Sequence, residues 1–244
     1  MSRRINSVPN EEDLYKYAQE QLEQYNAKLA ERGLSLVYDD RGLSLTDGGL
    51  SIMADFTDML PRLKKSNLEH EMLVKAARIK GQDMPQTVID ATAGFGEDSL
   101  ILAAAGFQVR MYEFDEIIAA LLADGMDRAS EVLELKSAVS RMELVSGDSV
   151  EAMESLDFLP DIVLLDPMFP GRQKSALIKK KLQLLQRLES PCSNETQLLS
   201  AARHASPKRI VIKRPLKGPY LAGEKPSYSL QGKAIRYDCM VFTR

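Results

Sequence analysis

A chain of 244 residues, 44% apolar and 27% charged, is long enough for one substantial core and has the composition of an ordinary globular protein. Its formal net charge of −3 excludes a uniformly basic nucleic-acid binder while leaving room for a local basic face. No apolar stretch is long enough to span a bilayer and the N-terminus has no apolar leader, so Cys192 and Cys239, without CxxC spacing, read as free thiols of a reducing cytoplasm.

Residues 1–10 are polar, and a helix is expected over Glu11–Arg32. There Leu14, Tyr17, Ala18, Gln21, Leu22, Tyr25 and Leu29 recur at helical spacing before Gly33. Three short β-like runs follow, Leu34–Tyr38, Leu43–Thr46 and Leu50–Ala54. Asp39-Asp40-Arg41-Gly42 and Asp47-Gly48-Gly49 separate them, which is turn chemistry and predicts a small antiparallel meander. Asn67–Lys80 reads as one helix, with Leu68, Met72, Leu73, Ala76 and Ala77 on one face and Gly81 as its stop. From Gln86 the pattern alternates. Strands are expected at Thr87–Asp90, Val109–Tyr112, Met142–Ser146, Ile162–Leu165 and Arg209–Lys213, with helices at Asp98–Ala105, from about Glu116 to Ala129, and in the basic stretch after residue 165. Two late runs, near Ser227–Leu230 and Ile235–Thr243, complete the sheet. Alternation of this kind predicts a doubly wound, Rossmann-like α/β domain over residues 83–244, carrying a small N-terminal α+β extension over residues 1–82.

The chemistry concentrates at strand ends. Asp90-Ala91-Thr92-Ala93-Gly94-Phe95-Gly96-Glu97-Asp98 closes the first strand of the alternating region and opens a helix. Gly94 and Gly96 let the backbone approach a ligand, but position 99 is Ser, so the full GxGxxG of a dinucleotide fold is not met. An acidic residue before the turn suits a ligand with an ammonium group, such as the methionine moiety of S-adenosylmethionine, better than a pyrophosphate. Asp90, Thr92, Gly94, Gly96, Glu97 and Asp98 are therefore candidates for cofactor binding. Glu113 ends the second strand about twenty residues on, where a carboxylate can accept two ribose hydroxyls, and Phe114 beside it can pack on adenine. Asp148-Ser149 follows the third strand, where Asp148 serves equally well as an adenine acceptor or as a helix N-cap.

The fourth strand ends at Asp166-Pro167-Met168-Phe169. Pro167 cannot continue a ladder, so the run must stop there. An exocyclic amine on a purine is a poor nucleophile because its lone pair is delocalised into the ring. Acceptors on its N–H bonds, here the Asp166 carboxylate and the Pro167 carbonyl, favour the localised pair that attacks a methyl group, and Phe169 can hold the base by stacking. These three are the candidate catalytic residues. Arg172, Lys174, Lys179, Lys180, Lys181 and Arg187 follow with no acid before Glu189, and a second acid-free cluster runs Lys208, Arg209, Lys213, Arg214 and Lys217. Both clusters are expected on one cleft rim as phosphate contacts, with Arg172, Lys174, Lys179, Lys180, Lys213 and Arg214 as RNA-binding candidates and Arg62, Lys64 and Lys65 extending the surface. His70 and His204 are too few and too scattered for a metal site.

DATAGFGED followed by LLDPMFPGRQKSALIKK resembles the ribosomal RNA small subunit methyltransferase J family of bacteria. The resemblance is continuous from about Val88 to Lys181 and weaker through Val211–Pro215 and Gly232-Lys233. It implies a class I methyltransferase fold, S-adenosylmethionine as cofactor, and methyl transfer to the exocyclic N2 of a guanine in small-subunit rRNA. It also implies cofactor contacts at Glu97, Asp98, Glu113, Phe114, Asp148, Ser149 and Asp166. The first fifty residues match weakly. Glu97 stands where the family pattern has an arginine, and Lys65–Glu71 stands where it has a glycine-rich basic segment. Two other readings keep the fold: an adenine-N6 methyltransferase of RNA or DNA, since DP-x-F suits any exocyclic amine, and a non-catalytic RNA-binding or ribosome assembly factor. The expected partner is small-subunit rRNA or the ribosomal subunit, with no membrane and no metal, in the cytoplasm.

Overall fold

The computed structural model describes residues 11–167, 184, 187, 188 and 194–243. Helix α1 (Glu11–Ala30) leads into a three-stranded antiparallel meander, β1 (Ser35–Asp39), β2 (Gly42–Thr46) and β3 (Ser51–Ile52). The third strand is shorter than the expected Leu50–Ala54. Beyond Ile52 the chain leaves the ladder: the Arg128 guanidinium takes the Ala54 carbonyl, and Gly125 lets the helix behind it come against Ala54. After a short helix α2 (Leu60–Leu63), the single helix expected over Asn67–Lys80 is two pieces, α3 (Lys65–Leu68), which starts earlier, and α4 (Met72–Ala77). Glu71 breaks it with an extended ψ of 126°, and its carboxylate takes a bidentate pair from Arg62 at 3.0 Å each.

The rest of the chain builds a seven-stranded sheet. In chain order the elements are β4 (Thr87–Asp90), α5 (Glu97–Ala104), β5 (Gln108–Glu113), α6 (Glu116–Ser130), α7 (Leu133–Val139), β6 (Met142–Ser146), α8 (Ser149–Glu154), β7 (Ile162–Leu165), α9 (Glu195–His204), β8 (Arg209–Pro215), β9 (Tyr228–Gln231) and β10 (Ile235–Val241). Their order across the sheet is β6-β5-β4-β7-β8-β10-β9. The first five neighbours run parallel, and β10 lies antiparallel between β8 and β9. This is the doubly wound sheet read from the sequence. The central strand β7, Ile162–Leu165, is buried at every position, which is why it reads as an unbroken apolar run rather than an alternation.

Two helical layers cover the sheet. On one face Leu100, Ile101, Val109, Met111, Ile162, Leu164 and Val211 pack with Phe56, Leu73 and Val74 of the extension. On the other, Ile89, Val163, Leu165, Ile210 and Ile212 pack with Leu198, Leu199 and Ala202 of α9. A third cluster joins Leu29, Leu36, Leu45 and Ile52 to Ile117, Ile118 and Leu121 of α6. The extension thus shares apolar cores with the sheet, each buried aliphatic side chain contributing about 2 kcal/mol. From β4 the chain winds one way to β5 and β6, whereas β7 and β8 lie on the other side. The crevice beyond the carboxyl ends of β4 and β7 is therefore the topological switch point, where open α/β sheets bind ligands.

Candidate functional site

The floor of that crevice begins with Asp90, the last residue of β4. It is only 2% exposed, and its carboxylate accepts Ser99 Oγ at 2.6 Å and the Thr92 N–H at 3.2 Å. Burial pushes its pKa up to about 7, against the pull of the Ser99 hydrogen bond. Asp90 therefore braces the glycine turn from behind instead of opening onto the cleft as a direct ammonium partner. Thr92 carries the brace across the switch point, its Oγ1 accepting the Asp166 N–H at 2.7 Å.

Gly94 and Gly96 have φ of +54° and +73°, a region that favours glycine, but for different reasons. A Cβ on Gly94 would meet nothing within 4 Å, so that turn faces open space. A Cβ on Gly96 would stand 2.7 Å from Leu122 of α6 and 3.2 Å from Phe56 of the extension, so that turn is packed. Glu97 and Asp98 form the first turn of α5. Glu97 is exposed, and Asp98 points to the far side of the cleft.

Glu113 ends β5 with its two carboxylate oxygens taking the Gly94 N–H at 2.8 Å and the Asp115 N–H at 2.9 Å. Burial raises its pKa, opposed by those N–H donors. Each oxygen retains a free lone-pair direction for a hydroxyl. Phe114 beside it is 77% exposed, an aromatic ring facing solvent at a strand end. Asp148 is the N-cap of α8, accepting the Val150 N–H at 2.8 Å, and Ser149 is buried in the first turn. The cap uses one carboxylate oxygen of Asp148 and leaves the other for a ligand, so the two readings are compatible.

Opposite, Asp166 sits just past β7 with its side chain 38% exposed. Parallel pairing of Leu165 with Ile212 brings it beside Lys213 of β8. The Lys213 ammonium lies 2.8 Å from Asp166 Oδ2 and 2.7 Å from Asp98 Oδ2, bridging two carboxylates across the crevice. Tyr237 of β10 pairs directly with Lys213 and is buried on the same side. Burial alone would lower the Lys213 pKa; Asp98 and then Asp166 more than reverse this and raise it. Burial raises Asp166, opposed first by Lys213.

The second basic cluster does not lie on one rim. Lys208 and Arg209 stand at the amino end of β8. Lys208 holds Asp161 at 3.1 Å, and Arg209 donates to the carbonyls of Ala76 and Arg78 at the carboxyl end of α4. Lys213 faces into the cleft. Arg214 is 1% exposed, paired to Glu195 at 3.0 Å and donating to the Pro219 carbonyl at 3.1 Å. Alternate positions along a strand face opposite layers, so Arg214 is buried against Glu195 and is not at the surface, whereas Lys213 turns its ammonium to two carboxylates inside the cleft. Lys217 is exposed beyond the strand end, as are Arg62, Lys64 and Lys65 on the extension. Phe169, Arg172, Lys174, Lys179 and Lys180 lie outside the described residues.

Sequence reasoning missed the inward role of Lys213, together with Ser99 and Tyr237. Ser99 had a local signal, a polar residue among Leu100, Ile101 and Leu102. Lys213 and Tyr237 had none, because their partners are fixed by strand register. Among the described residues, no group of three or more His, Cys, Asp and Glu side chains is placed to hold a metal ion, and no helix is long and apolar enough to cross a membrane.

A family model of SAM-dependent methyltransferases matches residues 17–242. Over 242 residues the chain is 38% identical to the ribosomal RNA small subunit methyltransferase J of Thioalkalivibrio sulfidiphilus, with 94% of each chain covered. It is 39% identical over 224 residues to the protein of the same name from Tolumonas auensis, covering 89% of this chain and 90% of that one. Among solved structures, a SAM-dependent methyltransferase of Neisseria gonorrhoeae is similar at a TM-score of 0.70 and 34% identity, covering 86% of this chain and 83% of that one.

Proposed function

The chain belongs to the ribosomal RNA small subunit methyltransferase J family, and from that premise we propose that it methylates the exocyclic N2 of a guanine in small-subunit rRNA. It is a SAM-dependent methyltransferase acting on small-subunit rRNA; the base and the atom are the finer part of the proposal. The observation that supports an exocyclic amine as acceptor is the Asp166-Pro167 pair, a carboxylate and a prolyl carbonyl at the end of β7, across the switch point from the open glycine turn; guanine N2 among such amines follows the family resemblance.

The residues present fit S-adenosylmethionine. Gly94 leaves room for close approach of a ligand, and Glu113 offers two oxygens at the place of a ribose. The exposed Phe114 ring offers a face for adenine. Asp98 and Asp166 with Lys213 carry a net charge of −1, opposite to the net positive charge of an ammonium, a sulfonium and a carboxylate. When bound, the cofactor supplies an activated methyl group. The chain's own part is to hold the amine. Asp166 and the Pro167 carbonyl accept its N–H bonds, the lone pair localises on nitrogen, and the surplus proton passes to Asp166. Phe169 is assigned to stacking on the base, and Arg172, Lys174, Lys179 and Lys180 to phosphates, on the sequence alone. A cytoplasmic location, with the ribosomal subunit or its RNA as partner, belongs to the same proposal and is supported by the rRNA substrate of the relatives.

The test is methyl transfer from labelled S-adenosylmethionine to small-subunit RNA and to assembled subunits that lack the modification, followed by nucleoside analysis. N2-methylguanosine is expected. Methyladenosine would keep the mechanism and change the base. Cofactor binding without any product would mean another substrate, and no cofactor binding would leave a non-catalytic RNA-binding protein.

A further inference from the structure

Lys213 stands where two acidic side chains from separate elements converge in the cleft. Its ammonium reaches Asp98 Oδ2 on α5 and Asp166 Oδ2 beyond β7 at 2.7 and 2.8 Å, and its own side chain is only 24% exposed. We infer that Lys213 is a positioning residue for methyl transfer: it fixes Asp166 by one oxygen so that the other is presented, charged, to the amine of the substrate base. This rests on the methyl-transfer reading above and adds a residue to it.

A carboxylate at the end of a strand, followed by proline, has a free side-chain rotor. The Thr92 hydroxyl holds the Asp166 main chain but leaves the carboxylate to turn. The Lys213 contact to Oδ2 removes that freedom and leaves Oδ1 available. Lys213 is in turn held by Asp98, so it cannot follow Asp166 out of the cleft. In the reaction the nitrogen lone pair forms the N–C bond as the S–C bond breaks and its electrons stay on sulfur. The displaced N–H proton goes to Asp166 and from there to solvent. A carboxylate that must receive a proton has to begin ionised, and burial works against that. The charged groups around it are Lys213 on β8, Asp98 on α5, the neighbouring Arg214, and Asp90 at the end of β4, with Tyr237 on β10 beside Lys213. Asp98 opposes ionisation and Lys213 is its main support.

The experiment compares the full-length protein with Lys213→Met and Lys213→Arg. Its readouts are steady-state methylation of small-subunit RNA across pH and the titration of the Asp166 carboxyl carbon by NMR. Lys213→Met is expected to lower kcat about 100-fold with KM for RNA within about threefold, and to move the acid limb of the rate profile and the Asp166 titration to higher pH. Lys213→Arg is expected to restore most of both, since it keeps a cation. If Lys213→Met does not fold, Lys213→Gln serves in its place. An unmoved Asp166 titration overturns the inference. So does a raised KM for RNA at unchanged kcat, which would make Lys213 a phosphate contact after all. If the unmodified protein transfers no methyl group, the functional reading fails, while the carboxyl titration, which needs no turnover, still decides the role of Lys213.

Discussion

On the β4–β5 side of the cleft, carboxylates are satisfied chiefly by main-chain donors a few residues away or one strand over. Glu113 takes two backbone N–H groups, Asp148 and Asp115 cap helices, and Asp90 takes one backbone N–H and one hydroxyl. On the β7–β8 side the same kind of group is satisfied by a side-chain cation, with Lys213 held between residues 115 and 47 positions away in the chain. The first construction makes a shaped wall whose charges are already spoken for. The second holds a charged acceptor by one oxygen and leaves the other at the outer edge. Binding a cofactor needs the former; moving a proton needs the latter.

That contrast breaks most visibly at Asp166. Asp166→Ala is expected to reduce turnover by about 1,000-fold or more, equivalent to about 4 kcal/mol of barrier, while thermal melting changes little. Retained activity would move proton acceptance elsewhere.

The next largest effect lies on the other side of the cleft, in the pH dependence of stability. The folded pKa of Asp90, about 7, lies above its unfolded value near 3.8, so between those values the folded chain holds a proton that the unfolded chain has released. Its contribution is complete below about pH 4 and is lost as pH rises towards 7, by on the order of 3 kcal/mol. Asp90→Asn, which keeps an acceptor for Ser99, is expected to remove this slope. Parallel stability–pH curves for the two proteins, from urea melts without cofactor, would contradict it.

The smallest effect separates the two glycines within the shaped wall. Gly94→Ala incurs only the left-handed backbone penalty, about 1 kcal/mol, and its added methyl enters the ligand space, so cofactor affinity falls more than stability. Gly96→Ala adds a clash with Leu122 and Phe56 and is expected to cost about 3 kcal/mol of stability. Paired melting and cofactor titrations check the ordering.

The same contrast governs what the sequence discloses. Strands β4 to β8 and the glycine turn were legible because buried runs and turn residues are local signals. Glu113 and Asp166 were legible as strand ends. Lys213 and Arg214 looked like a basic patch because linear neighbours share charge, while the fold sends Lys213 into the cleft and Arg214 to Glu195. Helix α7 has no side-chain N-cap to announce it, and the break at Glu71 depends on Arg62, nine residues earlier. In each of these cases the deciding partner is tertiary.

The contact of Gly96 with Phe56 has a consequence for how such enzymes can be recombined. A cut made just before β4, where the repeating pattern begins, would sever the ring that backs the glycine turn. The smallest module transferable with its loop geometry intact therefore starts upstream, at the Asp55-capped turn that carries Phe56 and Met59. In a lineage of shuffled domains, the extension and the turn would be inherited together or replaced together.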